Sequence, residues 1–308
     1  MAENKEISTE LISPSPDVVL VVGTPPKINL MVSSATLSNS SVVFAAMLGP
    51  KFREGQDIST AHPKEVTLPD DEPETMSDIC YLLHGKSVQK FLTATETAQV
   101  LDFAVAVDKY GCVDALRMQS HAVLLANLEF YPDNELLTNG QRMVAAYLLQ
   151  DSRAFYLSTK NLLVGTTKPY HTLLEKEWSC HIPTLVLYAL EVRRSTAQRE
   201  LVFSPTSGTA PYDHNSNHYG KCVYQLRDGL GTASWPPKLE DHNIASFTSR
   251  LRQMPTIGSP DGTMMYAGDL RLLADKVETM CGGICMACIR ERKADILSKY
   301  TDAAHAYP

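Results

Sequence analysis

Residues 17–48 read DVVLVVGTPPKINLMVSSATLSNSSVVFAAML, and this stretch decides the fold of the N-terminal part of the chain. Five aliphatic residues in a row, Val18 to Val22, close on Gly23. A short apolar run rich in β-branched side chains and ended by a turn signal predicts a buried strand. Thr24-Pro25-Pro26 supplies the turn, and KINLMV at 27–32 predicts the second strand of a hairpin. Ser33 or Ser34 is then placed to cap one short helix. Ser40 or Ser41 is placed to cap a second, carrying Val42, Val43, Ala46 and Met47, which Gly49-Pro50 ends.

Downstream, residues 66–68 predict a third strand. Asp70 or Asp71 is expected to cap the next helix, with Pro73 in its first turn, the helical place where proline fits. That helix runs through Met76, Ile79, Cys80, Leu82 and Leu83 to Gly85. Thr95 opens another, in which Val100, Leu101, Ala104 and Val107 recur at helical spacing and Gly111 is the stop. A further helix is expected from about residue 113 to 128. Strands first and helices later predict an α+β unit over 17–128. Upstream, residues 1–16 are polar and end in Ser-Pro-Ser-Pro, which predicts a disordered tail.

YPDN at 131–134 is a linker signal, and 135–308 predicts a mostly α-helical C-terminal region. Its helices are expected at 140–150, 152–163, 172–178, 183–200, 221–229 and 242–253. Two more should flank the last cysteines. A polar loop is expected at 204–217 and a Gly/Pro loop at 255–262.

The 308 residues are 44% hydrophobic and 20% charged, with a formal net charge of −7. That balance is globular and lacks the basic footprint that binding to nucleic-acid phosphates needs. Arg193-Arg194 and Arg290, Arg292 and Lys293 are the tight basic runs, and solvated helix faces are expected to account for both. The N-terminus lacks the apolar core of a signal peptide, and no apolar run approaches the ~20 residues of a membrane span. A cytoplasmic or nuclear location follows as an expectation. In such a compartment the seven cysteines are expected as thiols or metal ligands rather than disulfides.

The segment VSSATLSNSSVVFAAML (32–48) resembles the hallmark of the BTB/POZ family, with Leu37, Ser38, Ser41, Phe44, Met47 and Leu48 in register. VTLPDDEPETMSDICYLLHG (66–85) resembles the family's acidic turn and following helix, and LDFAVAVDKYGC (101–112) its segment of alanine, aspartate, lysine and tyrosine near the domain's end. The likeness covers about a third of the chain and is nearest in wording to BTB proteins of filamentous fungi that carry helical C-terminal regions. It implies a BTB/POZ-type domain, a short β-sheet flanked by helices, acting as a non-catalytic protein–protein interaction adaptor. Some members bind a cullin scaffold through a hydrophobic-x-Glu motif. Phe52-Arg53-Glu54 falls at that place, so Phe52 and Glu54 are the implied partner-binding residues of a cullin-type ubiquitin-ligase adaptor. Two departures stand out. The family's His-Lys pair is Ser33-Ser34 here. The stretch before Asp17, which in many relatives exchanges between subunits, is short and holds Pro14 and Pro16. A monomer or a weak dimer is therefore expected.

Phosphate loops (GxxxxGK[ST]), nucleophile elbows (GxSxG) and zinc-protease helices (HExxH) are absent from the sequence. The remaining chemistry-bearing stretch is CGGICMACIR (281–290). Cys281, Cys285 and Cys288 have the residue types and spacing for a structural zinc ion, with Cys222 as the fourth ligand or His218 in its place. The plain alternative is that the three thiols pack as small hydrophobes between two helices. A reading from another class, a thiol- or metal-dependent enzyme centred on this cluster, needs a base or an open metal position that the sequence alone does not display.

Overall fold

The computed structural model describes residues 8–88, 91, 96–130, 135–207, 227–229, 243–255, 257–258, 264–265 and 267–292. They divide into two compact units. The first comprises residues up to 132 together with Val144–Ala154, and the second takes Asp133–Met143 and everything from Phe155 on.

The first unit is α+β and is built on a four-stranded mixed sheet of β1 (Ser8–Leu11), β2 (Val18–Val22), β3 (Ile28–Val32) and β4 (Lys64–Leu68). Their spatial order is β1-β3-β2-β4. β2 and β3 form the expected antiparallel hairpin, with Leu20 opposite Leu30. β4 joins β2 in parallel and β1 joins β3 in parallel. Along β2 the uniform aliphatic run separates into two faces. Val18, Leu20 and Val22 are fully buried, while Val19 and Val21 are half-buried. Strand periodicity sends alternate side chains to opposite faces, and only one face of this sheet carries the core.

α3 (Pro73–Leu83) packs on β3; α1 (Ser34–Ser40) packs on α3 and on α2 (Val42–Met47), and α4 (Thr97–Lys109) packs on α3 and on α5 (Arg117–Phe130). Leu37, Phe44, Met76, Ile79, Val100, Phe103, Ala104 and Val107 make the core beneath them. Gly23 ends β2 at φ +84°, and a Cβ there would stand 2.8 Å from Pro73 Cγ, so glycine is required where the hairpin turn passes α3.

Three expectations for this unit need correction. Residues 8–16 are not a disordered tail. β1 is a strand, and Ile12 behind it is fully buried, its N–H donating to Met31 O at 3.0 Å. Polar composition alone missed this because the strand is specified by the open edge of β3, not by its own pattern. The cap of α3 is neither Asp70 nor Asp71. Glu72 accepts from Glu74 N and Thr75 N because Pro73 takes the first helical position. The boundary at 128–135 is also displaced. The end of α6 (Leu136–Leu148) and the start of α7 (Ser152–Gly165) belong to the first unit, where His121 of α5 bonds Asp151 at 2.5 Å.

The second unit is mostly helical, as expected. After α6 and α7 come two 3-10 turns, Tyr170–Glu175 and Glu177–His181, in place of one helix at 172–178. Then follow α8 (Thr184–Ser207), α9 (Ile244–Gln253), the short paired strands β5 (Ile257–Gly258) and β6 (Met264–Met265), α10 (Ala267–Met280) and α11 (Met286–Arg290). α10 packs on α8 and α9 through Leu270, Ala274 and Val277. α8 continues through Ser207, so the first residues of the expected 204–217 loop are helical. The rest of that loop lies outside the described residues, as do the linker at 131–134 and most of the helix expected at 221–229. No helix among the described residues is long and apolar enough to cross a membrane.

Candidate functional site

Phe52, Arg53 and Glu54 sit where α2 gives way to a 3-10 turn, Arg53–Gly55. The turn follows α2 through Phe52 N–H to Gly49 O (3.2 Å) and closes through Gly55 N–H to Phe52 O (3.2 Å). Gly55 lies directly on the end of α2. A Cβ there would be 2.1 Å from Gly49 O and 2.5 Å from the Leu48 carbonyl carbon. The turn is thus seated by backbone against backbone, and it holds its side chains outward. Phe52 is 52% exposed, Arg53 is exposed and Glu54 is half-buried. An aromatic ring this exposed is not part of the core. Arg53 and Glu54 also wall an open groove of about 470 Å³, whose other wall is Lys64, Glu65, Val66 and Thr67 of β4.

Behind this surface two sequence segments meet. Ser41 caps α2 by accepting from Phe44 N, and its hydroxyl donates to Tyr110 O. Phe44 stacks on the Tyr110 ring at 4.6 Å, 10° from parallel. The Tyr110 hydroxyl and the Lys109 ammonium both reach the Asp71 carboxylate at 2.7 Å. Burial pushes the Tyr110 phenol well above its ordinary pKa, and the bond to Asp71 adds to this. These contacts are structural ties between α2, α4 and the acidic turn.

The Ser33-Ser34 pair has its own partners. Ser34 donates from N–H and hydroxyl to the two Asp17 oxygens, at 2.7 and 2.6 Å. Ser33 N–H donates to His84 Nε2 (3.0 Å), which fixes the proton on Nδ1, and Nδ1 donates to Cys80 O (2.7 Å). Burial holds the His84 pKa below its ordinary value of 6.5, the Cys80 bond opposes this, and Lys86 lowers it further. The unfolded imidazole therefore takes up a proton near pH 6.5 while the folded one resists. Stability is full above that pH and falls as pH drops through it toward the depressed folded value. Denaturant midpoints should fall between about pH 7 and 5.5 in the native chain, and His84→Phe should flatten this slope at the cost of Ser33's acceptor.

The C-terminal cysteines occupy a different setting. Leu270, Ala274, Val277 and Cys281 are buried at spacings of four, three and four, so Cys281 extends the apolar stripe of α10. Burial pushes its thiol up to about 12, Arg193 opposing and Glu278 adding, so it stays protonated near neutrality. Cys288 is buried in α11, and Cys285 is half-buried just before it. Among the described residues, no group of three or more His, Cys, Asp or Glu could hold a metal ion. Cys222 and His218 lie outside the described residues.

The turn between α10 and α11 is fastened in another way. Arg193 of α8, only 4% exposed, donates from Nη1 to Gly282 O (2.9 Å) and Gly283 O (3.0 Å). Ile284 N–H donates to Thr159 Oγ1 at 2.8 Å. Gly283 lies against α7, where a Cβ would stand 2.0 Å from Tyr156 O. Arg194, also buried, stacks 4.0 Å over Tyr170 and donates to Lys168 O. The solvated face expected for Arg193-Arg194 is therefore wrong. Two adjacent arginines read locally as surface, whereas their partners lie up to 90 residues away. The Gly-Gly between Cys281 and Cys285 was the available signal, since paired carbonyls without side chains suit a close approach.

Metal analysis of the full chain checks what fastens this turn. Less than about a tenth of an equivalent of zinc leaves the hydrogen bonds as the fastening. A full equivalent, lost in Cys222→Ser, would show that residues beyond those described complete a site.

No protein-family model matches the chain, and no curated protein matches it.

Proposed function

We propose that the first unit is a BTB/POZ-type interaction domain and that the chain works as a protein-binding adaptor, with Phe52 and Glu54 at the contact. The observation that carries this reading is the placement of Phe52. It is half exposed on a turn that Gly55 seats against the end of α2, at the position where the family resemblance implies a hydrophobic-x-Glu anchor. An exposed aromatic beside a carboxylate suits a partner groove, because the ring supplies apolar area at low entropic cost and the carboxylate fixes orientation. Further support comes from the resemblance segments themselves. Leu37, Ser41, Phe44 and Leu48 are buried together, and Lys109-Tyr110 close on the acidic turn at Asp71.

The scaffold that fits this motif is a cullin N-terminal region. Titration of a purified cullin N-terminal region into the full chain tests the reading. Binding at micromolar concentration is expected, weakened at least about tenfold by Phe52→Ala. Because Phe52 is outside the core, thermal stability should stay within about 0.5 kcal/mol of the native chain. Joint loss of binding and stability would place Phe52 in the fold. No binding at tens of micromolar would remove the cullin as partner.

A further inference from the structure

We propose that His84 is a pH-sensitive latch on the junction between β3 and α1, which opens locally when the ring takes up a proton while α3 and the sheet stay folded.

The ring stands at the C-cap of α3 and ties it to Ser33, the N-cap of α1, 51 residues earlier in the chain. Nε2 accepts from Ser33 N–H at 3.0 Å, and Nδ1 donates to Cys80 O at 2.7 Å. A protonated imidazole is a donor at both nitrogens. Nε2–H would then face Ser33 N–H, and two donors do not make a bond.

The surroundings let the ring leave without unravelling either element. Cys80 O keeps a second donor, the His84 backbone N–H at 3.1 Å. The end of α3 is closed by backbone, through Gly85 N–H to Leu82 O (3.0 Å) and Lys86 N–H to Tyr81 O (2.9 Å). On the other side Asp17 holds Ser34 through two bonds that do not involve the ring, and the β2–β3 pairing runs on to Val18 opposite Val32. Among the described residues the group that loses its partner is Ser33 N–H. Ser33 is half-buried, so water reaches it once the ring swings out.

The charges around the ring favour opening. Lys86 directly follows α3 and opposes a second cation beside it. β3 (INLMV) and α1 (SATLSNS) carry no acidic side chain to hold an imidazolium in place. The Asp17 carboxylate, at the start of β2, is taken up by both donors of Ser34. The Cys80 thiol on α3 is pushed far up by burial and stays neutral. In the closed junction burial and Lys86 keep the ring's pKa below 6.5, whereas a solvated ring titrates near that value. The open junction therefore binds the proton more tightly. Acid shifts the balance toward it, by up to about tenfold per pH unit below the solvated value.

The test is amide hydrogen exchange, read as protection factors, together with 15N NMR of the imidazole in the full chain. At neutral pH the nitrogen shifts should report the Nδ1–H tautomer. Between about pH 7 and 5 the protection of Ser33 should fall about tenfold along the His84 titration, while that of Leu20, Leu30 and Cys80 stays within about threefold. His84→Gln keeps an acceptor near the place of Nε2 and takes no proton, so Ser33 protection should lose its pH dependence. His84→Phe should leave Ser33 poorly protected throughout. Lys86→Met should move the transition to higher pH, which a purely structural tie does not predict. Unchanged Ser33 protection while His84 titrates overturns the latch, as does an Nε2–H tautomer at neutral pH. So does a fall that persists in His84→Gln. Loss of protection across β2, β3 and α3 together would mean unfolding of the whole unit in place of a local opening.

Discussion

Gly283→Ala should destabilise the helical unit by about 3 kcal/mol or more, the upper end of overpacking costs. The added methyl would lie 2.0 Å from Tyr156 O and 2.7 Å from its carbonyl carbon. Those atoms are helix backbone, so either α7 or the turn must move. Movement of the turn breaks the bonds from Arg193 to Gly282 O and Gly283 O and from Ile284 to Thr159. Arg193→Met reaches the same turn by different chemistry. It removes two hydrogen bonds from a charged donor, each worth about 1.5–3 kcal/mol, and leaves two carbonyls short of a partner. Hydrogen exchange read unit by unit is the check. Protection in α10 and α11 should drop in both variants, while that of β2, β3 and α3 stays as it was. Native-like protection of α11 in Gly283→Ala would mean that the turn does not rest on α7.

Phe44→Ala should cost the first unit about 3–5 kcal/mol, the range for truncating a fully buried aromatic residue. The ring fills the core and stacks on Tyr110, so its loss opens a cavity and removes the ring contact between Tyr110 and α2, leaving the Ser41 bond to Tyr110 O. Tyr110→Phe keeps the stack and removes only the hydroxyl bond to Asp71, so its cost should be nearer about 1 kcal/mol. Urea midpoints of the two variants check the ranking. A Phe44→Ala cost no larger than that of Tyr110→Phe would show that the α2–α4 contact is not the centre of this core.

Elements whose signals are local were legible in the sequence. The β2–β3 hairpin follows from an aliphatic run, a Gly stop and a Pro-Pro turn. The helices α3 and α4 follow from apolar spacing and the glycines at 85 and 111, both at positive φ. What was not legible depends on partners far away in the chain. β1 carries little strand pattern and exists because β3 has an edge to fill. Arg193 looks like surface until its two carbonyl acceptors are seen. The division of α6 and α7 between units is a matter of tertiary packing that no local pattern encodes. At the candidate site, Phe52 and Glu54 were visible through the family resemblance, but the residue that seats their turn, Gly55, was not. Its role is a backbone approach to Leu48 and Gly49, which leaves no compositional trace.

The central claim is that the chain holds a protein partner at Phe52, and a photo-crosslinker there tests it most directly. Phe52→p-benzoylphenylalanine in the full chain, irradiated in cells that express it, should give one discrete heavier species containing a second protein. Glu54→Arg in the same chain should abolish that species while leaving expression and stability unchanged. A chain that crosslinks to nothing, or whose crosslinks persist unaltered with Glu54→Arg, would contradict the account.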